Sequence, residues 1–238
     1  MTKSVSDLLA HWPQDGCLSI ENAITGGELT HLQTAFDESA AATKADWLQG
    51  VRNGTAPAAF FDIPEALQLN PLFVNLVDHP AYYPLLQEIT SGETVFLFPQ
   101  FRTVPPSPLS YVGWHFDVPR TTPLHLKVQI YLQDIGPGDG AFAYVPGSHI
   151  EGAGPYPSVR HLEDMPGQRT FYGKAGTALL FNSYGMHTSL RNTSASPRRS
   201  IILIYEKFCE KKYNPGRLLP YADQINTAER RRLFGIER

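Results

Sequence analysis

Apolar positions recur with two different periods along this chain, and the change falls near residue 92. Before it the spacing is helical. Ser6-Asp7-Leu8-Leu9 starts a short helix that Pro13 and Gly16 stop, and Gly27-Glu28-Leu29 opens a longer one to about Ala45, with Leu29, Leu32 and Phe36 on one face. Between them Gly16–Ile20 alternates like a strand, and two further helical stretches follow at Pro64–Leu69 and Pro71–Thr90, the second broken by Pro80 and Pro84. After Gly92, apolar and β-branched runs lie near 94–103, 110–116, 126–133, 141–146, 169–173, 177–182, 186–191 and 199–208, separated by Pro, Gly, Asn or Ser clusters. Eight such runs predict a mostly β chain with flanking α-helices around a jelly roll, the double-stranded β-helix core of cupin-like proteins. In the third run Leu124, Leu126, Val128, Ile130 and Leu132 alternate with His125, Lys127, Gln129, Tyr131 and Gln133. Its polar face looks either to bulk water or, in a small barrel with helices outside, into a ligand cavity.

Length and composition narrow this picture. The chain has 238 residues, of which 42% are apolar and 18% charged, so it can bury a sizeable core. One domain over 1–238 is expected: a mainly helical part at 1–92 packed on the barrel, the jelly-roll core at 93–208, and a helical tail at 209–238. A net charge of −3 offers no field to recruit a nucleic-acid backbone, which leaves a small-molecule partner as the expectation. Cys17 and Cys209 form no CxxC pair, which argues against a disulfide framework or a thiolate zinc site and for a reducing, cytoplasmic compartment. The first residues lack the apolar stretch of a signal peptide and no run is long enough to span a bilayer, so neither export nor membrane insertion is expected. In the tail, Arg230-Arg231-Arg232 near the end of a helix predicted from Ala222 reads as a solvated helix end or as a basic recognition patch.

Candidate chemistry comes from the histidines. On a strand, residues i and i+2 share a face, so His-x-Asp/Glu brings an imidazole and a carboxylate to one ion, and a second imidazole completes a site that keeps positions open for other ligands. With 8 histidines and 23 acids, about one such motif arises by chance, so the pattern alone is weak. Three occur: His115-Phe116-Asp117, His149-Ile150-Glu151 and His161-Leu162-Glu163. The first closes a strand and precedes Pro119, whereas His149 follows the Pro146-Gly147-Ser148 turn and His161 lies in a charged loop. His187, at the start of a later strand, is a candidate third ligand. Arg198 opens the last predicted strand, where its guanidinium either grips a carboxylate bidentately or forms a surface ion pair. The same residues also permit a His₂Asp zinc site that activates water, or a non-catalytic jelly-roll binding protein in which the histidines only pack.

Trp114-His115-Phe116-Asp117, Pro146-Gly147-Ser148-His149, and the stretch from Gly185-Met186-His187 through Asn192 to Pro197-Arg198 resemble the phytanoyl-CoA dioxygenase family of iron(II)- and 2-oxoglutarate-dependent oxygenases. Asp15-Gly16-Cys17-Leu18 followed by Gly27-Glu28-Leu29 is similar to that family's opening. The resemblance implies His115, Asp117 and His187 as the ligands of Fe(II), and Arg198 as the partner of the distal carboxylate of 2-oxoglutarate. It also implies O₂ as cosubstrate and oxidation of a C–H bond in a small metabolite, coupled to decarboxylation of 2-oxoglutarate to succinate and CO₂. Lys127 and Arg102 match positions that contact the cosubstrate in the ectoine hydroxylase branch, where smaller residues stand, so one of them is expected to hold 2-oxoglutarate and the other an acidic group of the substrate. Phe181 matches a pocket-wall position. Arg120, three residues after Asp117, is a candidate for meeting a substrate carboxylate or phosphate at the mouth, and Val104–Gly113 is a candidate lid or a stiff connector. Related halogenases carry a small residue at the carboxylate position, so Asp117 implies hydroxylation or another oxidation. His149 and Asn192 are expected to be structural.

Overall fold

The computed structural model describes residues 4–108, 113–156, 164–212 and 223–237. Its helices follow the local punctuation. In α1 (Val5–Leu9), Ser4 and Asp7 form a reciprocal capping box, and α2 (Trp12–Asp15) ends on Gly16 in the left-handed region at φ +68°. The long helix α3 (Gly26–Arg52) runs past Ala45, through an Ala- and Lys-containing stretch with no proline to stop it, and ends at Asn53. Short helices α4 (Ala66–Leu69), α5 (Pro71–Asn75) and α6 (Tyr83–Thr90) follow. Pro84 starts α6 rather than breaking it, because in a first turn the missing N–H has no intrahelical partner to lose.

The strands are β1 (Cys17–Ile20), β2 (Phe61–Asp62), β3 (Thr94–Val104), β4 (His125–Tyr131), β5 (Phe142–Tyr144), β6 (Arg169–Phe171), β7 (Ala178–Asn182), β8 (His187–Ser189) and β9 (Arg198–Lys207). All pair antiparallel, in a six-stranded sheet of order β1-β7-β4-β9-β3-β2 and a three-stranded sheet of order β6-β5-β8. This is a jelly roll. The N-terminal part contributes β1 and β2 to the large sheet; β2, two residues long, has no periodicity to betray it. The strand expected over 110–116 is not formed at its end, where only the His115 bridge to His187 pairs; residues 109–112 lie outside the described residues.

The alternation in β4 separates two environments. Leu126, Val128 and Ile130 join Ile201, Leu203 and Tyr205 of β9, Phe96 and Phe101 of β3, and helical residues including Phe36, Phe73 and Leu86 in the main core. Each such side chain contributes about 1.5–3 kcal/mol on burial. Lys127 and Gln129, on the opposite face, line a cavity between the two sheets.

The C-terminal helix α7 (Ala228–Leu233) begins later than Ala222, because Thr227 caps it by accepting from the Arg230 amide. Arg230 pairs with Asp78 at 3.0 Å and Arg231 with Glu237, so two of the three arginines are engaged inside the chain. Among the described residues no helix is long and apolar enough to cross a membrane.

Candidate metal centre

Backbone pairing, not side-chain reach, brings the two histidines together. His115 and His187 exchange both amide-to-carbonyl hydrogen bonds at 3.0 Å, so they stand directly opposite each other across an antiparallel bridge, with ring centroids 4.4 Å apart. The Asp117 amide then donates to the Ser183 carbonyl, which holds the carboxylate on the same side. The ligand atoms of His115, Asp117 and His187 lie within 4.8 Å of one another.

Each imidazole is set by a glycine two residues earlier. Nδ1 of His115 lies 2.8 Å from the Gly113 carbonyl, and Nδ1 of His187 lies 2.9 Å from that of Gly185. A carbonyl only accepts, so Nδ1 carries the proton in both rings and a neutral ring offers its Nε2 lone pair inward. Both glycines are required. Gly113 has φ +85°, and a Cβ on Gly185 would sit 1.8 Å from the Tyr144 hydroxyl.

Burial pushes His187 down from its ordinary range, keeping it neutral. Burial raises the Asp117 carboxyl, but its close neighbours, the Lys127 ammonium among them, outweigh it and hold it well below the usual carboxylate range. The result is a cluster rich in electron pairs. His187 Nε2 is 3.2 Å from Asp117 Oδ2, His115 Nε2 is 3.7 Å from Oδ1, and the buried Oδ2 accepts no hydrogen bond. Two imidazole lone pairs facing a charged carboxylate repel one another unless a cation lies between them, and this donor set, two nitrogens and one oxygen, suits a divalent transition metal.

The cavity beside this cluster has a volume of about 250 Å³. Arg198, at the start of β9, is 1% exposed and projects into it. Its Nη1 donates to the Gly140 carbonyl, its Nε has no partner, and no carboxylate pairs with it among the described residues. Burial pushes its guanidinium down to about 10. Gln129 Nε2 is a second buried, unpartnered donor on the cavity wall. Lys127 places Nζ 2.7 Å from Asp117 Oδ1.

Arg102 also lines the cavity but is held bidentately by Asp62, with both contacts at 2.7 Å, and lies 3.9 Å above the Phe60 ring. Phe181 stands on the wall, its ring 5.1 Å from that of His187. Arg120 lines a neighbouring, more open cavity of about 310 Å³ that also reaches Asp117, and its guanidinium donates to the Ser148 and His149 carbonyls, stitching two loops together. His149 packs against Gly16, far from a metal-ligand role, and Asn192 donates to the Val104 and Ser196 carbonyls. His161 and Glu163 lie outside the described residues.

Sequence reasoning did not single out Gly113, Gly185, Asp62, Phe60 or Gln129 for the site. The glycines left a weak signal, the Gly-x-His pattern at Gly113-Trp114-His115 and Gly185-Met186-His187, which Gly147-Ser148-His149 shares without belonging to the site. Asp62 left none, since its role depends on β2 pairing with β3, where it stands opposite Arg102.

Residues 12–200 match the family described as phytanoyl-CoA dioxygenase (PhyH). The ectoine dioxygenase of Nocardia farcinica is 25% identical over 84% of this chain and 77% of its own length. Among solved structures, HygX from Streptomyces hygroscopicus with nickel and 2-oxoglutarate bound shares the fold with a TM-score of 0.65 at 17% identity, covering 87% of each chain. The epimerase SnoN from nogalamycin biosynthesis, in complex with Fe³⁺, alpha ketoglutarate and nogalamycin RO, gives a TM-score of 0.62 at 17% identity over 85% of this chain and 83% of its own. With 189 of its 238 residues inside the family match, the chain belongs to the phytanoyl-CoA dioxygenase (PhyH) family and is a non-haem iron, 2-oxoglutarate-dependent dioxygenase.

Proposed function

We propose that His115, Asp117 and His187 hold Fe(II), that Arg198 receives the distal carboxylate of 2-oxoglutarate, and that the protein hydroxylates a C–H bond of a small metabolite. The observation that carries this reading is the pairing of two complementary deficits in one cavity: an electron-rich cluster lacking a cation, and a fully buried guanidinium lacking an anion.

With iron and 2-oxoglutarate bound, the site supplies an oxidant made from O₂ as the cosubstrate loses CO₂ and becomes succinate. The chain's own part is positional. The Gly113 and Gly185 carbonyls fix each imidazole in one tautomer and one orientation. Lys127 occupies one oxygen of Asp117, which leaves the other facing His187. Arg198 and Gln129 offer donors deep in the cavity, while Phe142, Phe181 and Ile202 supply apolar walls that exclude water. A cavity of about 250 Å³, just below the usual range of roughly 300–1,000 Å³ for ligand sites, supports a small substrate over a polymer.

Anaerobic titration with Fe(II), with and without 2-oxoglutarate, tests the assignment. A weak visible metal-to-ligand charge-transfer band is expected only with both present, and its loss is expected in His187→Ala. Folded protein with no band, or a band unchanged in His187→Ala, overturns the proposal.

A further inference from the structure

We infer that the substrate carries a single carboxylate, and that Lys127 recognises it. This inference rests on the metal and cosubstrate assignment above and deepens it. It comes from the charge of the cavity. Among the described residues, the charged groups lining it are Asp117, Lys127, Arg102 and Arg198, with Asp62 held against Arg102 at its edge. The three cations exceed the two carboxylates by one. The imidazoles add nothing, because a ligating imidazole is neutral.

A divalent metal and the dianion of 2-oxoglutarate cancel each other, so loading the site leaves the excess positive charge in place. Of the three cations, Arg102 has its own bidentate carboxylate and Arg198 is assigned to the distal carboxylate of the cosubstrate. Lys127 shares Asp117 with the metal and is left short of an anion, although its side chain is only 11% exposed. A buried ammonium in that state is costly, and an incoming monoanion relieves the cost. A carboxylate matches the excess of one charge, whereas a phosphate monoester brings about 1.5–2 negative charges and overshoots it. Phe60, Phe142, Phe181 and Ile202 share the same space with Gln100, Gln129, Thr188 and Ser189, so the rest of the substrate meets apolar walls interrupted by neutral hydrogen-bonding groups.

The test uses protein loaded anaerobically with Fe(II) and 2-oxoglutarate, so that binding is read without turnover. Short alkanoic, 2-hydroxy and N-acetyl-amino acids, each beside its primary amide and a phosphate monoester of similar size, are titrated by calorimetry and by perturbation of the charge-transfer band. Acids are expected to bind at least about 10-fold more tightly than their amides. Lys127→Gln is expected to weaken the acids by about 30-fold or more while leaving the amides in place, and Lys127→Arg to restore most of the loss. Amides or phosphate esters binding as well as acids, no acid binding while the band is intact, or a Lys127→Gln variant that loses 2-oxoglutarate affinity but keeps that for acids, each overturns the inference. Absence of the band in the unmodified protein instead defeats the iron and 2-oxoglutarate assignment.

Discussion

Replacing Arg198 by methionine separates a ligand-binding guanidinium from a structural one, because the two roles move stability in opposite directions. Burial lowers Arg198 from 12.5 to about 10, and at about 1.36 kcal/mol per pH unit the charged group costs the ligand-free fold on the order of 3 kcal/mol. The one hydrogen bond recorded for it, to the Gly140 carbonyl, returns about 1.5–3 kcal/mol as a charged donor. Methionine keeps much of the stem volume, removes the burial cost and forfeits that bond, so the ligand-free variant should be as stable as the parent or up to about 1.5 kcal/mol more stable, roughly 2–4 °C in Tm per kcal/mol at this size. Affinity for 2-oxoglutarate should fall by about 30-fold or more, since truncating one partner of a buried charged pair costs about 2–5 kcal/mol. Thermal unfolding without ligands, set beside a 2-oxoglutarate titration of the Co(II)-loaded protein, reads both quantities. A variant that unfolds well below the parent yet binds 2-oxoglutarate normally would refute the reasoning and make Arg198 an internal strut.

Gly185→Ala should weaken Ni(II) or Co(II) binding about 10-fold or more, because its Cβ would collide with the Tyr144 hydroxyl and displace the carbonyl that orients His187; an unchanged metal titration would sever that link. Gly16→Ala should cost at least about 1–2 kcal/mol in urea unfolding, since residue 16 has φ +68° and its Cβ would fall 2.3 Å from the His149 ring, and an unaltered midpoint would contradict the packing. His125, pushed by burial and Lys127 from 6.5 down to about 4, takes up its proton in the unfolded chain first as pH falls. Its contribution is therefore fully present above about pH 6.5 and is lost toward pH 4, by up to about 3 kcal/mol; His125→Gln should flatten the acid limb of stability against pH, and parallel limbs would reject the assignment.

What the sequence discloses depends on how locally each feature is encoded. The strand β4 is legible because its two faces meet unlike surroundings, and alternation records that difference directly in Leu126, Lys127, Val128 and Gln129. The convergence of His115 on His187 is legible only as an expectation of topology, since a reciprocal backbone bridge across 72 positions has no local signature. The start of α7 is missed because Thr227, a capping residue, lies inside a stretch whose composition is helical on both sides. Asp62 is hidden more deeply: a two-residue strand carries no period, yet it decides that Arg102 is neutralised within the chain.

That last contact bears on how the cavity discriminates. Without Asp62, Arg102 and Lys127 would be interchangeable candidates for any anion. With Asp62 clamping the Nε–Nη2 edge of the guanidinium and Phe60 lying under the plane, Arg102 already has a bidentate carboxylate of its own, and an anion that sought that edge would have to displace it. Lys127 presents the opposite case, a point charge on a flexible stem with three donors, of which one contact to Asp117 uses a part. Arg198 is held with its Nε unpartnered and its charge unmatched. The three cations are thus graded by how fully each is already satisfied, and ligands should fill them in the reverse order, the cosubstrate at Arg198 first, the substrate at Lys127 next, with Arg102 left as a fixed wall.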